Sequence, residues 1–307
     1  MSNENKPFIS ISEFGIWARL GNQMFQYAYL RTLSLDKNLR IHLPINKPGH
    51  GYRIPHFFEA FDTSQIDVSN NMITFQHKII EEGLYDKKLD SSNIFIPENT
   101  NILFEGYFQS EKYFLKYANV IRNDFTFKEN IRVNGDHFMK QLDTTQPIVA
   151  LHVRRTDNLG PNSPSILIND TFRTNAIRYL CEKIERFHIL IFSDDKQWCL
   201  DNLNYENDRI SQTIVDNLSD IEELYVMTLC DHFIIGSSTY SWWGAWLSTN
   251  ANKIVILPDT WFIGLQHTPL SEIEKDLIPS KWIRLSSRED LFPNSLIKNN
   301  LTIQTRY

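Results

Sequence analysis

Pro147-Ile-Val-Ala-Leu-His-Val-Arg-Arg-Thr-Asp157 decides how this chain folds. Its apolar run from Ile148 to Leu151 reads as a buried strand of an α/β sheet. Two guanidinium groups, Arg154 and Arg155, stand where that strand ends. In open α/β sheets the carboxyl ends of strands are where ligands bind. Adjacent arginines there point to an anion with several oxygens, and a diphosphate fits best.

Outward from this stretch, short apolar runs alternate with helical patterns through the second half, the signature of a parallel α/β sheet. The runs predict strands over 148–153, 189–192, 232–235 and 254–257. Between the first two, Ile177, Leu180, Cys181 and Ile184 recur at helical spacing. Between the second and third, Ser219 and Glu222 form a capping box opening a helix whose apolar face carries Ile221, Leu224 and Tyr225. The first half is less regular. A run over 9–17 leads into Arg19-Leu-Gly-Asn-Gln23, after which Met24, Tyr27, Ala28, Leu30 and Leu33 have helical spacing, so Gly21-Asn-Gln23 reads as a strand-to-helix turn. Further strands are expected over 41–43 and 102–104, the latter before Gly106, while 44–100 has turn signals and weak periodicity. The boundary is placed at Asp143-Thr-Thr-Gln146, giving domains 1–146 and 147–290 and a peripheral tail 291–307.

Length and composition are those of a folded globular chain, long enough for two domains or for one large core. The 307 residues, 42% hydrophobic and 13% aromatic, suffice for a substantial core, and the 22% charged fraction argues against disorder. A formal net charge of -6 disfavours nucleic acid as partner, because phosphate-backbone binding needs a basic field. Cys181, Cys199 and Cys230 form no C-x-x-C pair and read as reduced thiols that pack. The polar start, Met1-Ser-Asn-Glu-Asn-Lys-Pro7, has no signal-peptide character, and no stretch approaches the ~20 apolar residues of a membrane span. A cytoplasmic protein is expected, with peripheral membrane contact left open. No feature sets an oligomeric state.

Each candidate group has a structural and a functional reading. Arg154 and Arg155 suit phosphate oxygens, which a rigid guanidinium meets with paired hydrogen bonds; alternatively they form an ion pair with Asp157 or other carboxylates. Phe192-Ser-Asp-Asp195 ends the next strand with two carboxylates, which either accept from a guanine edge or a ribose hydroxyl or cap the helix that begins near Lys196. Gly236-Ser-Ser-Thr-Tyr-Ser241 turns into a helix whose N-terminus is a ready anion site, or else Ser237 and Ser241 are plain caps. The following Trp242-Trp-Gly-Ala-Trp246 reads mainly as core. Asn22 and Gln23 reach a sugar or phosphate, or serve as ordinary turn residues. There is no G-x-G-x-x-G, no P-loop and no Asp-x-Asp, so a dinucleotide oxidoreductase and a P-loop NTPase are disfavoured and the commonest metal chelate for a sugar diphosphate is missing. A departing diphosphate would then be stabilised by arginines and backbone dipoles.

Taken together these motifs resemble the bacterial α-1,2-fucosyltransferases of glycosyltransferase family 11. Arg19-Leu-Gly-Asn-Gln-Met-Phe-Gln-Tyr-Ala28 is similar to that family's N-terminal motif, with Ala18 where glycine is usual. His152-Val-Arg-Arg-Thr-Asp157 resembles its H-x-R-R-x-D motif, shared with α-1,6- and protein O-fucosyltransferases. Gly106-Tyr-Phe-Gln-Ser-Glu-Lys-Tyr-Phe114, Phe192-Ser-Asp-Asp195 and Ser237-Ser-Thr-Tyr-Ser-Trp-Trp-Gly-Ala-Trp246 follow in the expected order. The resemblance implies a GT-B architecture, two Rossmann-like domains facing across a cleft, with GDP-β-L-fucose held by the C-terminal one. It implies metal-independent, inverting transfer of fucose to the 2-hydroxyl of a terminal β-galactoside, with no cofactor. Arg154 and Arg155 would hold the diphosphate, Arg154 toward the β-phosphate, and His152 would shape that pocket. Asp194 would read guanine or ribose, and Ser237, Ser238 and Thr239 would complete the phosphate site. Asn22, as a catalytic residue, and Gln23 would reach toward fucose or acceptor. For a general base Asp157 comes first and Glu105 second, unless a dissociative transition state needs none. Residues 44–100 would shape the acceptor pocket, and a lipid-linked glycan would bring the enzyme to a membrane surface. The rivals are a fucosyltransferase of another linkage, such as α-1,6, and a non-catalytic nucleotide-sugar or glycan binder.

Overall fold

A computed structural model describes residues 6–12, 14, 19–43, 57–62, 73–83, 85–142, 145–156, 168–261 and 275–286. The chain divides into two units, residues 1–130 with 271–280 and residues 131–270 with 281–307.

The first unit is built on β1 (Phe8–Ile11), α1 (Leu20–Lys37), β2 (Arg40–Ile41), α2 (Phe57–Ala60), β3 (His77–Ile80), β4 (Ile102–Glu105) and α3 (Ala118–Asp124). Its four strands form a parallel sheet in the order β2-β1-β4-β3. α1 begins at Leu20, so Gly21, Asn22 and Gln23 lie in its first turn and not in a preceding turn. Arg19 O accepts from the N–H groups of both Asn22 and Gln23, at 2.9 and 3.0 Å. The helix ends at Asn38, whose left-handed backbone, φ 57°, returns its N–H to Ser34 O. Two aromatic groups fill the core: Tyr27, Phe57, Phe61 and Phe125 around α1 and α2, and Tyr29, Phe104, Phe108 and Tyr113 against β4. The strand expected over 41–43 is the two-residue β2, and β3 was hidden by its His77-Lys-Ile-Ile80 pattern at a sheet edge. Residues 44–56 and 63–72, expected to shape an acceptor pocket, lie outside the described residues, as do Ala18 and the 291–307 tail.

The second unit comprises nearly all of α4 (Glu129–Gln141), then β5 (Ile148–Val153), α5 (Asp170–Cys181), β6 (Phe187–Ser193), α6 (Lys196–Asn202), β7 (Ile210–Ile214), α7 (Asp220–Thr228), β8 (His232–Ile234), α8 (Thr239–Leu247), β9 (Val255–Pro258) and β10 (Ile283–Leu285). Six parallel strands run in the order β10-β9-β8-β5-β6-β7. β5 and β6 are buried on both faces, which is why Ile148-Val-Ala-Leu151 and Ile189-Leu-Ile-Phe192 read as unbroken apolar runs. Strand β7, Ile-Ser-Gln-Thr-Ile, escaped the sequence reading because its middle is polar and only half-buried. The Ser219–Glu222 capping box is present in both directions. Cys199 and Cys230 are buried free thiols and Cys181 is half-buried.

The division falls at 130/131, not near 143–146. The reason is the packing of α4 on α7: Asn134 donates to Glu222 at 2.5 Å, and Tyr225 donates to Asp136 at 2.8 Å. Gly135 permits that approach, since a Cβ there would lie 2.5 Å from Tyr225 Cδ1.

Candidate functional site

In the second unit, β5 sits between β6 and β8, so the three sequence clusters emerge side by side at the carboxyl edge of the sheet. The register pairs His152 with Phe192 and Val153 with Ser193, and Leu151 with Ile234 on the other side. Ser193 Oγ ties two of these ends together, donating to Val153 O at 2.7 Å and accepting from Asp195 N at 3.0 Å.

The two arginines are held differently. Arg154 reaches toward β8 and α8, its Nη1 donating to Ser238 Oγ at 3.3 Å. Arg155 turns the other way: its Nε donates to Asp195 at 3.2 Å and its guanidinium lies 3.7 Å from the centroid of the Trp198 ring. Asp195 also caps α6 by accepting from Trp198 N at 3.1 Å. Asp194 is engaged with the chain that follows β5, accepting from Arg155 N at 2.8 Å, Thr156 N at 3.3 Å and Thr156 Oγ1 at 2.6 Å. The ion-pair reading thus holds for Arg155, with Asp195, and Arg154 reaches the N-cap residue of the helix after β8. Asp157 lies outside the described residues.

At the end of β8, Ser238 is the N-cap of α8, in extended conformation and without a side-chain cap bond, and Trp242 N closes on its carbonyl at 3.0 Å. Ser237 Oγ is buried with no hydrogen-bond partner among the described residues, a cost of about 1–3 kcal/mol that an anion's oxygen would relieve. Ser241 Oγ donates to Ser238 O at 3.3 Å, so it braces the helix start. Thr239 opens the helix proper. His152 is buried, its ring 5.7 Å from that of Tyr240. Trp242 and Trp243 are wholly buried and Trp246 nearly so, as the core reading expects. A helix N-terminus, a buried hydroxyl and a guanidinium thus converge, an arrangement that stabilises negative charge on oxygen.

Nearby, Lys196 at the start of α6 pairs with Glu223 of α7 at 2.9 Å and with Asp216 at 3.3 Å. Burial pushes the Glu223 carboxyl up to about 7, against the pull of Lys196. A carboxyl raised in the folded state stabilises the fold below its unfolded value near 4.5 and loses that contribution as pH rises through about 7. Glu223→Gln, always neutral, is expected to gain stability relative to wild type between about pH 5 and about pH 8, by roughly 1–3 kcal/mol. Thermal unfolding at both pH values checks this; a difference independent of pH contradicts it.

In the first unit, Asn22 and Gln23 part company. Gln23 is fully buried and its Oε1 accepts from Phe57 N at 2.8 Å, so it fastens α1 to α2, a correction to the ligand-facing position expected of it. Asn22 is half-buried and its Oδ1 accepts from Gln109 Nε2 at 2.9 Å. Gln26, one turn on, donates to Gly106 O at 2.9 Å. The Gly106–Gln109 segment after β4 is strained: Gly106 has φ 153°, and Phe108, a bulky residue, has φ 52°. Such a left-handed residue costs about 1–3 kcal/mol and persists only where its surroundings fix it. Here the Phe108 ring stacks on Tyr29 at 3.9 Å, and its N–H donates to Glu81 at 2.7 Å. Burial pushes the Glu81 carboxyl up to about 7 despite its donors. Glu105 is bonded to Lys78, which holds its carboxyl below the ordinary range, as suits a salt bridge more than a proton acceptor.

Sequence reading missed Glu81, Gln109 and Trp198. Gln109 stood inside the quoted Gly106-Tyr-Phe-Gln-Ser110 run, and Trp198 stands three residues after the Asp195 cap, where a helix brings a side chain back over the strand end. Glu81 follows a strand whose pattern gave no signal.

Three comparisons bear on this site. The family model described as Glycosyl transferase family 11 matches residues 13–284. An alpha-1,2-colitosyltransferase of Escherichia coli is 28% identical over 87% of this chain and 96% of its own. A galactoside alpha-(1,2)-fucosyltransferase 1 of Ateles belzebuth is 22% identical over 80% of this chain and 68% of its own. Among solved structures, NodZ alpha-1,6-fucosyltransferase soaked with GDP-fucose superposes with a TM-score of 0.53 at 10% identity, covering 79% of this chain and 92% of that one. That likeness is one of fold, and it agrees with the α/β, GT-B class expected from the motifs.

Proposed function

The chain belongs to glycosyl transferase family 11, and from that premise we propose that it transfers L-fucose from GDP-β-L-fucose to the 2-hydroxyl of a terminal β-galactoside. The observation that carries this reading is the convergence of Arg154 on Ser238 at the N-terminus of α8, beside the buried Ser237 hydroxyl. Charge develops on the β-phosphate as the bond from the anomeric carbon to the diphosphate breaks, and donors fixed in advance stabilise it without reorganising. The galactose O2 attacks the opposite face, its new bond to C1 inverting the β-linked donor to an α-linked product. GDP departs with the bonding electrons and the hydroxyl proton leaves to solvent, to a phosphate oxygen or to Asp157. Arg155, stacked on Trp198 and paired with Asp195, contributes positive field more than direct contact, and Asp194 shapes the turn that carries both arginines. Asn22, oriented by Gln109, addresses fucose or acceptor.

The reaction is proposed to need no metal, since the chain has no Asp-x-Asp chelate and supplies cationic and dipolar groups at the strand ends. Turnover is expected to be unchanged in excess EDTA; loss restored by Mg²⁺ or Mn²⁺ would overturn this. An acceptor on a lipid-linked glycan would be met at a membrane surface; among the described residues no helix is long and apolar enough to cross a membrane.

One relative favours a second reading of the donor, since the E. coli protein's name specifies colitosyl transfer through the same linkage. Colitose is fucose without its 3-hydroxyl, so the phosphate and nucleotide contacts would be shared. Competition between GDP-fucose and GDP-colitose for one β-galactoside separates them: the main reading expects the larger kcat/KM with GDP-fucose, and preference for GDP-colitose would replace it.

A further inference from the structure

The Glu81 carboxylate joins groups that the proposed reaction does not use. It stands just beyond β3, beside the carboxyl end of β4, and its oxygens divide their partners. Oε2 accepts from Tyr107 N at 3.0 Å and from Phe108 N at 2.7 Å, and Oε1 accepts from Tyr113 Oη at 3.0 Å. Tyr113 Oη in turn accepts from Asp86 N at 2.6 Å. The packing is close enough to dictate the neighbouring residue: a Cβ at Gly106 would lie 2.6 Å from Glu81 Cβ. The left-handed Phe108 is thus held on both sides, by the carboxylate at its N–H and by Tyr29 under its ring. Directly after it comes Gln109, buried, with its amide on Asn22. From the same turn, Gly106 O accepts from Gln26, so the segment is tied to α1 at two points one helical turn apart.

We propose that Glu81 is a positioning residue: it clamps the Gly106–Phe108 turn so that Gln109 fixes the orientation of Asn22 for the transfer reaction. The proposal rests on the function assigned above for the part that concerns turnover. A catalytic side chain misplaced by about 1 Å can lose most of its effect, and the Gln109 amide fixes where the Asn22 Oδ1 points. Glu81 has no need to touch substrate to act in this way. A glutamine in its place keeps an oxygen for the two backbone N–H groups, and its amide N–H can donate to Tyr113 Oη, which already accepts from Asp86 N. An alanine leaves both backbone groups without an acceptor.

The test is a set of variants read in two ways. Glu81→Ala is expected to lower kcat by about 10- to 100-fold with little change in KM for the nucleotide sugar, while Glu81→Gln keeps at least about a third of wild-type kcat. In Asn22→Ala, adding Glu81→Ala is expected to cost little more, because both act through one group. Amide hydrogen exchange needs no turnover: Glu81→Ala is expected to expose the amides of 107–110 while peptides of β5 and β6 keep their protection. Unchanged protection of 107–110 would overturn the clamp whatever the activity, and additive losses would overturn its action through Asn22. If Glu81→Gln were as inactive as Glu81→Ala, Glu81 would be a proton acceptor and not a positioning residue. If no β-galactoside is fucosylated by wild type yet exchange responds as described, the clamp stands and the function assigned above fails.

Discussion

Arg154→Ala is expected to lower kcat/KM for fucosyl transfer to lactose by at least about two orders of magnitude, roughly 2.7 kcal/mol or more of transition-state stabilisation. Arg154 is the guanidinium that leaves β5 toward α8, where Ser238 accepts from it and the buried Ser237 hydroxyl has no hydrogen-bond partner among the described residues. The negative charge that grows on a departing diphosphate would form between these groups. The loss should fall on kcat more than on KM, since the interaction strengthens as the bond breaks. Arg154→Lys restores a charge but not the planar fork, so it should recover only part of the activity. Arg155→Ala should cost less, because Arg155 is committed to Asp195 and Trp198. Steady-state kinetics on the three variants check the ranking; near-wild-type turnover in Arg154→Ala, or a larger loss at Arg155, contradicts it.

Trp242→Ala should produce the largest loss of stability. Trp242 is wholly buried in α8, with ring centroids 4.9 Å from Trp243, 6.2 Å from Trp246 and 5.4 Å from Trp282. Truncating a buried indole removes its apolar burial and leaves a cavity, typically about 3–5 kcal/mol in all. Much of the second unit's stability would go with it, given the usual ~5–15 kcal/mol available to a domain. Because the same helix presents Ser238 and its N-terminal amides, the affinity for GDP should fall in parallel. Urea unfolding followed by tryptophan fluorescence measures the first effect and titration with GDP the second. A midpoint shift worth less than about 1 kcal/mol would show that the site collapses without a cavity.

Much of the second unit was legible because its strands are buried on both faces. Such strands print themselves as apolar runs, and β5 and β6 were found within two residues of their ends. The Ser219 capping box was legible because both of its partners lie within four residues in the chain. What escaped depends on partners distant in sequence. β7 has a polar middle, and β3 is an exposed edge strand whose alternation carries no information. The site divides in the same way. Adjacent residues such as Arg154 and Arg155 were visible as a pair, but their opposite directions follow from Ser238 and Trp198, far along the chain. Asn22 and Gln23 looked equivalent as neighbours in one turn. On a helix they point about 100° apart, so one meets Gln109 and the other is sealed against α2. Glu81 could not be found at all, since its meaning lies in backbone groups 26 and 27 residues away.

The central claim, transfer of fucose to the galactose 2-hydroxyl, is tested most directly by the linkage in the product. Incubation with GDP-fucose and lactose, followed by methylation analysis, is expected to give fucose α-linked to O2 of galactose with one GDP released per transfer. Fucose on any other oxygen, or GDP-fucose bound without transfer to any β-galactoside, would contradict it.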